Sequence, residues 1–416
     1  MSTKSIADGA ADAPPSILLC GETFSNNLGD GVIAHCVEYL VKQVIPAARV
    51  NHLDLAGRTR IPDAGTVGAP GARKRSVRSP YLRMAKVLAR WSLRSRKALQ
   101  QKYHAAFSGG TDLVILNGGH LFIDNDLNFP LKLRLLCSIA SKKSVPVVAN
   151  ACGCSSNWSR LGRSVIRDAL NNPWFKRASF RDVESAQKFR ALGPRQDLGV
   201  AVTADPAFWS ADAFGVTRPA ARANRIGICI THPGALQKHS AASDRFEDAD
   251  VFDFFVNTIE RLAADGKHLV LFTNGDPPDE RFLDSVVSSP RLAQFGDFLK
   301  RERCGSPDAL VRLIAGFDVV IAHRLHANII AFSLGVPSIG LIWDAKVRDF
   351  AKLSGRANMY IEPGDQRSVG PVLDRLKHAL TEEVDLSALA RLKELALRDI
   401  EAAVSPFASV RDSHVQ

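Results

Sequence analysis

Short apolar runs alternate with longer amphipathic segments along almost the whole chain. Helical spacing of apolar residues is clear at 252–264 and 307–316, whereas the short runs are rich in Val, Ile and Leu. This alternation predicts an α/β fold with parallel sheets that helices cover on both faces. The runs with the length of buried strands lie at 16–20, 113–116, 145–149, 201–204, 225–230, 268–272, 319–322 and 337–341.

The chain has 416 residues, which is more than one ordinary hydrophobic core accommodates. We therefore expect two Rossmann-like domains that face each other across a cleft. A late helix at 386–404 should pack back across the domains. The predicted order is a disordered tail at 1–15, an N-terminal domain at 16–210, a linker at 211–224, a C-terminal domain at 225–380, and a helix and tail at 381–416.

The positive charge is concentrated in one segment. The formal net charge is +11, and the segment 64–111 holds eleven basic residues and no Asp or Glu. The rest of the chain is therefore formally neutral, which argues against a diffuse nucleic-acid-binding surface.

An apolar stripe at helical spacing within the basic segment 64–111 leaves two interpretations open. Its apolar side can pack on its own domain as a surface helix, or the segment 73–102 can dock on an anionic membrane. The residues of the stripe are Tyr81, Met84, Leu88, Trp91 and Leu99.

Cysteine usage and hydropathy favour a cytoplasmic protein, with the membrane contact of the basic segment as a peripheral one. Seven cysteines, mostly in apolar surroundings, are typical of reduced thiols and not of a disulfide framework. Cys152-Gly153-Cys154 lacks a second ligand pair for zinc, so no metal site is expected. The N-terminus has no apolar core of a signal peptide, and no run reaches the length of a membrane span.

Two glycine-containing loops directly follow predicted strands. Ligands of open parallel sheets collect at the carboxyl ends of strands, where these two loops should meet. Neither loop completes a Walker A or dinucleotide fingerprint. The candidate binding residues in them are Asn27, Gly29, Asp30, Gly118, Gly119 and His120.

Cationic side chains follow three further apolar runs. Arg181 stands in Ser179-Phe180-Arg181-Asp182, and a guanidinium suits carboxylate or phosphate, although a surface pair with Asp182 would also explain it. Arg324 and His326 follow the run at 319–322, and Lys346 follows the next run. We expect these three side chains to converge on one anion-sized volume.

The ordered set of motifs resembles the polysaccharide pyruvyl transferase family. The set comprises Asn-x-Gly-Asp, Gly-Gly at a strand end, Ser-Phe-Arg-Asp-x-x-Ser, Asp-Pro-Ala-Phe, Arg-x-His, Gly-Val-Pro and Asp-x-Lys, and it extends over 16–353. The resemblance implies a GT-B-like fold and transfer from phosphoenolpyruvate onto a saccharide in surface or extracellular polysaccharide biosynthesis. Two features depart from the family pattern, namely the basic segment 68–101 and His120 in place of a third glycine.

By the same resemblance, Arg181, Arg324, His326 and Lys346 hold the phosphate and carboxylate of the donor, and no further cofactor is implied. His326 is the candidate general acid. Asp30 is the candidate base or ligand of the acceptor hydroxyl. The acceptor is a saccharide, lipid-linked or free. Two other functions stay open: a nucleotide-sugar-dependent glycosyltransferase on the same plan, and a non-catalytic scaffold at a membrane.

Overall fold

The computed structural model describes residues 14–62, 79–220, 224–239, 246–381 and 383–408. Two six-stranded parallel sheets organise these residues, with strand orders β2-β1-β3-β4-β5-β6 and β12-β11-β10-β7-β8-β9. The first sheet consists of β1 Ser16–Gly21, β2 Arg49–Asp54, β3 Leu113–Asn117, β4 Val147–Cys152, β5 Phe175–Phe180 and β6 Gly199–Val202. The second consists of β7 Arg225–Cys229, β8 His268–Phe272, β9 Leu299–Arg301, β10 Val319–Ala322, β11 Ser338–Leu341 and β12 Tyr360–Ile361.

Helices cover both faces of each sheet. Around the first sheet lie α1 Leu28–Val44, α2 Pro80–Arg90, α3 Arg96–Ala106, α4 Asn128–Lys142, α5 Arg160–Leu170, α6 Val183–Arg190 and α7 Ser210–Ala213. Around the second lie α8 Pro233–His239, α9 Asp248–Ala264, α10 Pro277–Val287, α11 Pro307–Ala315, α12 Leu325–Ser333, α13 Ala345–Leu353 and α14 Gly370–Thr381. The last helix is α15 Ser387–Ala408.

The central strands are apolar along their whole length because helices bury them on both sides. Every residue of β1, β3, β4 and β10 is buried. The prediction of buried parallel strands is confirmed, and β8 and β10 have the predicted bounds. The run at 201–204 is displaced, since the strand there is Gly199–Val202.

Between the two sheets, α7 occupies the beginning of the predicted linker 211–224. Residues 1–13 of the predicted tail and residues 409–416 lie outside the described part of the chain.

The helix α15 packs back onto the first sheet. Asp399 accepts hydrogen bonds from Asn150 Nδ2 at 2.6 Å, from Ser179 Oγ and from the Arg177 guanidinium. The backbone carbonyl of Leu395 accepts a hydrogen bond from Thr203 Oγ1 at 3.0 Å. The helix α15 is therefore fixed to β4, β5 and the segment after β6.

The basic segment contains α2 and α3, which a π-helical turn at Trp91–Ser95 joins. Its apolar stripe faces its own domain, because Met84, Leu88 and Trp91 pack around a cluster formed by Leu127, Leu131 and Val165. Leu99 is buried as well. The prediction of a surface helix packed on its own domain is confirmed for these residues. Residues 63–78 and the side chain of Tyr81 lie outside the described part, and membrane docking through 73–102 stays a prediction.

Two absences hold for the described ranges. No helix there is long and apolar enough to cross a bilayer. No group of three or more His, Cys, Asp or Glu side chains there is arranged to hold a metal ion.

Candidate active site

A cavity of about 290 Å³ opens where the carboxyl ends of the two sheets meet. Loops that follow β1, β3 and β5 form one wall, and loops that follow β8, β10 and β11 form the other. The structure thus brings together side chains that lie far apart in the chain. The candidate residues on its walls are Asn27, Asp30, Gly119, His120, Arg181, Arg324, His326 and Lys346, together with Asn274, which sequence reasoning missed.

Asp30 lies in the first turn of α1 and is held by neighbouring side chains. Its Oδ2 accepts hydrogen bonds from Ser25 Oγ and Asn27 Nδ2, both at 3.1 Å. Burial raises the pKa of the Asp30 carboxyl, and the nearby His326 and the hydrogen bond from Ser25 oppose this only in part. A carboxyl whose pKa lies above the ordinary value is suited to accept a proton near neutral pH.

Only some of the glycines in the two loops lie on the cavity wall. Gly118 and Gly119 have φ values of +58° and +64°, and a Cβ at Gly118 would lie 2.1 Å from Cγ2 of Ile33. Gly118 therefore allows the loop after β3 to pass close over α1. Gly29 and Gly118 do not line the cavity but lie against His326 and Ile33, whereas Gly119 is on the wall.

His326 lies directly against the start of α1. A Cβ at Gly29 would lie 2.7 Å from Nδ1 of His326, so only glycine leaves room for the ring. The other ring nitrogen, Nε2, is 3.5 Å from the guanidinium of Arg181 and 3.6 Å from Oδ2 of Asp205. The imidazole is buried. It extends from α12, beside the second sheet, to α1 and to the segments after β5 and β6, beside the first sheet.

Asp205 is a site residue that the sequence analysis did not select. Its Oδ2 accepts a hydrogen bond at 2.9 Å from Arg181, and both side chains are almost completely buried. Burial acts to raise the pKa of Asp205, but His326 and Arg181 outweigh it and leave the pKa below the ordinary value. A sequence signal for Asp205 was available, since it is the first residue of the Asp-Pro-Ala-Phe motif.

The alternative pairing of Arg181 with Asp182 is wrong. Asp182 caps α6, where its side chain accepts a hydrogen bond from the backbone N–H of Ser185. A carboxylate used as a helix cap satisfies a backbone donor that would otherwise have no partner. Arg181 is thereby directed to the buried Asp205.

Arg324 is also held by carboxylates. Its Nε donates to Oδ2 of Asp279 at 2.8 Å, and its NH2 group lies 3.3 Å from Asp276. Both acidic residues stand at the start of α10, and no motif in the sequence marked them. The cavity is therefore less positive than predicted, because each arginine in it faces a carboxylate that balances its charge.

Lys346 and His120 contact each other across the cavity. The ammonium group of Lys346 donates to Nδ1 of His120 at 2.6 Å. Burial, followed by the charge of Arg181, lowers the pKa of Lys346 to about 8. His120, which departs from the expected glycine, thus has a defined partner among the predicted donor-binding residues.

Most of the chain matches the model of a known protein family. Residues 27–345 match the family model described as polysaccharide pyruvyl transferase. The chain belongs to the polysaccharide pyruvyl transferase family. The resemblance inferred from the ordered motifs is confirmed. Of the residues discussed above, the matched part includes Asn27, Asp30, Arg181, Asp205 and His326, while Lys346 follows directly after its last position.

Solved structures of other proteins share the fold of this family member. The UDP-N-acetylglucosamine 2-epimerase of Rickettsia bellii has 12% identity and a TM-score of 0.51, with 97% of this chain and 99% of that chain covered. The UDP-GlcNAc 2-epimerase of Neisseria meningitidis, bound to UDP-GlcNAc, has 11% identity and a TM-score of 0.53, with 94% and 100% covered. A trehalose-6-phosphate synthase has 10% identity and a TM-score of 0.53, with 95% and 99% covered.

At these identities the likeness concerns the fold, and it confirms the GT-B-like arrangement of the pyruvyl transferase family member. No curated protein is significantly similar to the chain in sequence.

Proposed function

We propose that the chain transfers the enolpyruvate-derived group of phosphoenolpyruvate to two hydroxyls of a saccharide, with formation of a ketal and release of phosphate. The observation that carries the proposal is the convergence of Arg181, His326, Lys346 and Asp30 on one cavity between the two sheets. Membership of the family supports a transferase that acts in polysaccharide biosynthesis.

The donor carries a phosphate and a carboxylate, which need several hydrogen-bond donors at fixed positions. Arg181 supplies one such donor, since its Nε is buried and has no hydrogen-bond partner among the described residues. A buried donor without a partner costs about 1–3 kcal/mol, which an anionic ligand would recover. Arg324 and Lys346 line the same cavity, and the carboxylates beside Arg324 hold its guanidinium in position.

The reaction requires one proton donor and one proton acceptor. Transfer of a proton from His326 to the methylene carbon of the donor makes the neighbouring carbon electrophilic. A saccharide hydroxyl then attacks this carbon and gives its proton to Asp30. The bond from that carbon to the phosphate oxygen breaks, and a second hydroxyl adds to complete the ketal. One hydroxyl proton replaces the proton that His326 delivered, and the other leaves with phosphate.

Ligand-induced stabilisation tests the proposal. At a phosphoenolpyruvate concentration about 100 times the dissociation constant, the free energy of unfolding should increase by about 2.7 kcal/mol. The measurement is a thermal-shift titration with phosphoenolpyruvate and, separately, with UDP-GlcNAc. Stabilisation by phosphoenolpyruvate supports the proposal. Stabilisation by UDP-GlcNAc with no response to phosphoenolpyruvate would reject it in favour of a nucleotide-sugar enzyme.

The lowered pKa of Lys346 predicts that kcat/KM for phosphoenolpyruvate depends on pH. The ammonium group carries its charge below pH about 8 and loses it above that value. We therefore expect kcat/KM for phosphoenolpyruvate to fall by about tenfold per pH unit above that pH, because this ratio reports the free enzyme. In Lys346→Arg the fall should be absent, since a guanidinium stays protonated. An identical pH profile in the two proteins would exclude Lys346 from the donor site.

A further inference from the structure

A second cavity, of about 390 Å³, lies beneath the basic helices α2 and α3. Three cationic side chains line it, and none of the described residues on its wall is Asp or Glu. The polar or aromatic side chains on the wall are Arg90, Lys102, Lys132, Trp91, Ser95 and Asn128. We call this space the basic cavity.

Three carboxylates of the same domain have other partners. Arg58 pairs with Asp54 at 2.9 Å and with Glu22 at 3.2 Å. Arg83 pairs with Asp126 at 3.0 Å. Within the described ranges, no carboxylate lies at ion-pair distance from the three cations of the basic cavity. The ammonium group of Lys102 donates to the backbone carbonyl of Gly57, which carries no net charge, so the charges of the three cations are left for a ligand or for solvent.

Lys132 is the least solvated of these cations. It is half-buried, and its ammonium group lies 5.5 Å from the centre of the Phe129 ring. Burial lowers its pKa, and the charge of Glu22 opposes this effect. A half-buried ammonium group without a bonded carboxylate is stabilised by a bound anion.

The backbone of the basic segment is unusual at the same place. The π-helical turn Trp91–Ser95 interrupts the helix, and the residues at both of its ends line the basic cavity. Such turns are rare, and they often occur at functional sites. The turn places an indole ring and a hydroxyl beside the cations, a combination that suits a phosphate attached to a sugar or other organic group.

Only the first turn of α4 separates the basic cavity from the active-site cavity. Asn128 lines the basic cavity, and the next residue, Phe129, lines the active-site cavity. Glu22 lines the active-site cavity too, and the charge of Lys132 acts on it. A ligand that extends past this turn would reach both cavities.

We infer that the basic cavity binds the phosphate or diphosphate group of an extended acceptor, whose saccharide reaches Asp30 and His326. The placement of the saccharide rests on the proposed function, whereas phosphate binding rests on the basic cavity alone. The phosphate can belong to a soluble glycosyl phosphate or to a lipid headgroup, because both present the same oxygens to Arg90, Lys102 and Lys132.

Calorimetric titration with inorganic pyrophosphate tests this inference. The variant Arg90→Gln/Lys132→Gln should bind pyrophosphate about tenfold more weakly than the wild type, because two charge-assisted contacts are lost. The matched control is Arg96→Gln/Lys97→Gln, which removes the same charges from exposed positions of the same segment outside the cavity wall. Its affinity should stay within about twofold of the wild type, because neither Arg96 nor Lys97 lines the basic cavity.

An equal loss of affinity in both variants, or none in either, would overturn the inference. Sedimentation with vesicles of phosphatidylcholine and phosphatidylglycerol then identifies the source of the phosphate. Weaker sedimentation of the cavity variant than of the control variant assigns a lipid headgroup, and equal sedimentation assigns a soluble ligand.

Thermal shift by phosphoenolpyruvate in the same variants separates the two proposals. Suppose that the cavity variant alone loses affinity for pyrophosphate, while phosphoenolpyruvate stabilises none of the proteins. This result would retain the anion site and reject the proposed function.

Discussion

Replacement of His326 by alanine should lower the rate of pyruvyl transfer by about 10²–10⁴-fold, the usual contribution of a general acid. The reason is that His326 is the imidazole on the cavity wall that lies beside both Arg181 and Asp205. The measurement is the rate of phosphate release from phosphoenolpyruvate in the presence of a competent saccharide. Stabilisation by phosphoenolpyruvate should persist in the variant, and turnover at the wild-type rate would rule out the acid role.

A second variant tests the same position without changing the histidine. In Gly29→Ala the new methyl group would lie 2.7 Å from Nδ1 of His326, so the ring must move. Alanine is otherwise favourable within a helix by about 1 kcal/mol. Displacement of a buried ring costs about 1–3 kcal/mol, which this gain offsets in part, so we expect lost activity with only a small loss of stability. The control is Gly370→Ala, where a Cβ meets nothing within 4 Å. Full activity of Gly29→Ala would show that the position of the ring is not critical.

Replacement of Asp399 by alanine should reduce the free energy of unfolding by about 3–5 kcal/mol. The carboxylate is buried in α15 and accepts hydrogen bonds from Asn150, Ser179 and Arg177. Without it, the guanidinium loses its counter-charge, and two buried polar side chains lose a partner. Urea denaturation followed by circular dichroism measures the change.

The matched control for this variant is Glu394→Ala on the same helix. Glu394 pairs with Arg398, and the two side chains are 57% and 68% exposed. An exposed pair of this kind contributes about 0–1 kcal/mol. Equal stability of Asp399→Ala and Glu394→Ala would contradict the view that the buried carboxylate fixes α15 to the first sheet.

Most of the strands that sequence patterns predict lie inside the sheets, although the run at 201–204 marked the edge strand β6 with a displacement of two residues. The strands β1, β3, β7, β8 and β10 are continuous apolar runs, because both of their faces are covered. The edge strand β2 was not predicted, since Arg49, Asn51 and His52 interrupt its apolar pattern. Strand β5 begins with Phe-Lys-Arg and was missed for the same reason. Edge strands such as β9 and β12 are also short, at three and two residues.

The amino-acid sequence by itself determined the α/β architecture, the family and the cationic side chains Arg181, Arg324 and Lys346 that line the cavity. It could do so because parallel strands end at a common edge, so polar residues after apolar runs must gather there. Only the tertiary structure decided how these charges pair. The distance from Arg181 to Asp205, and from Arg324 to Asp279, depends on helix positions that no local pattern encodes. The same holds for the contact between Lys346 and His120, which are 226 positions apart. The pairing of charges in the site therefore depends on how the helices pack, whereas the cations that enter the site follow from the sequence.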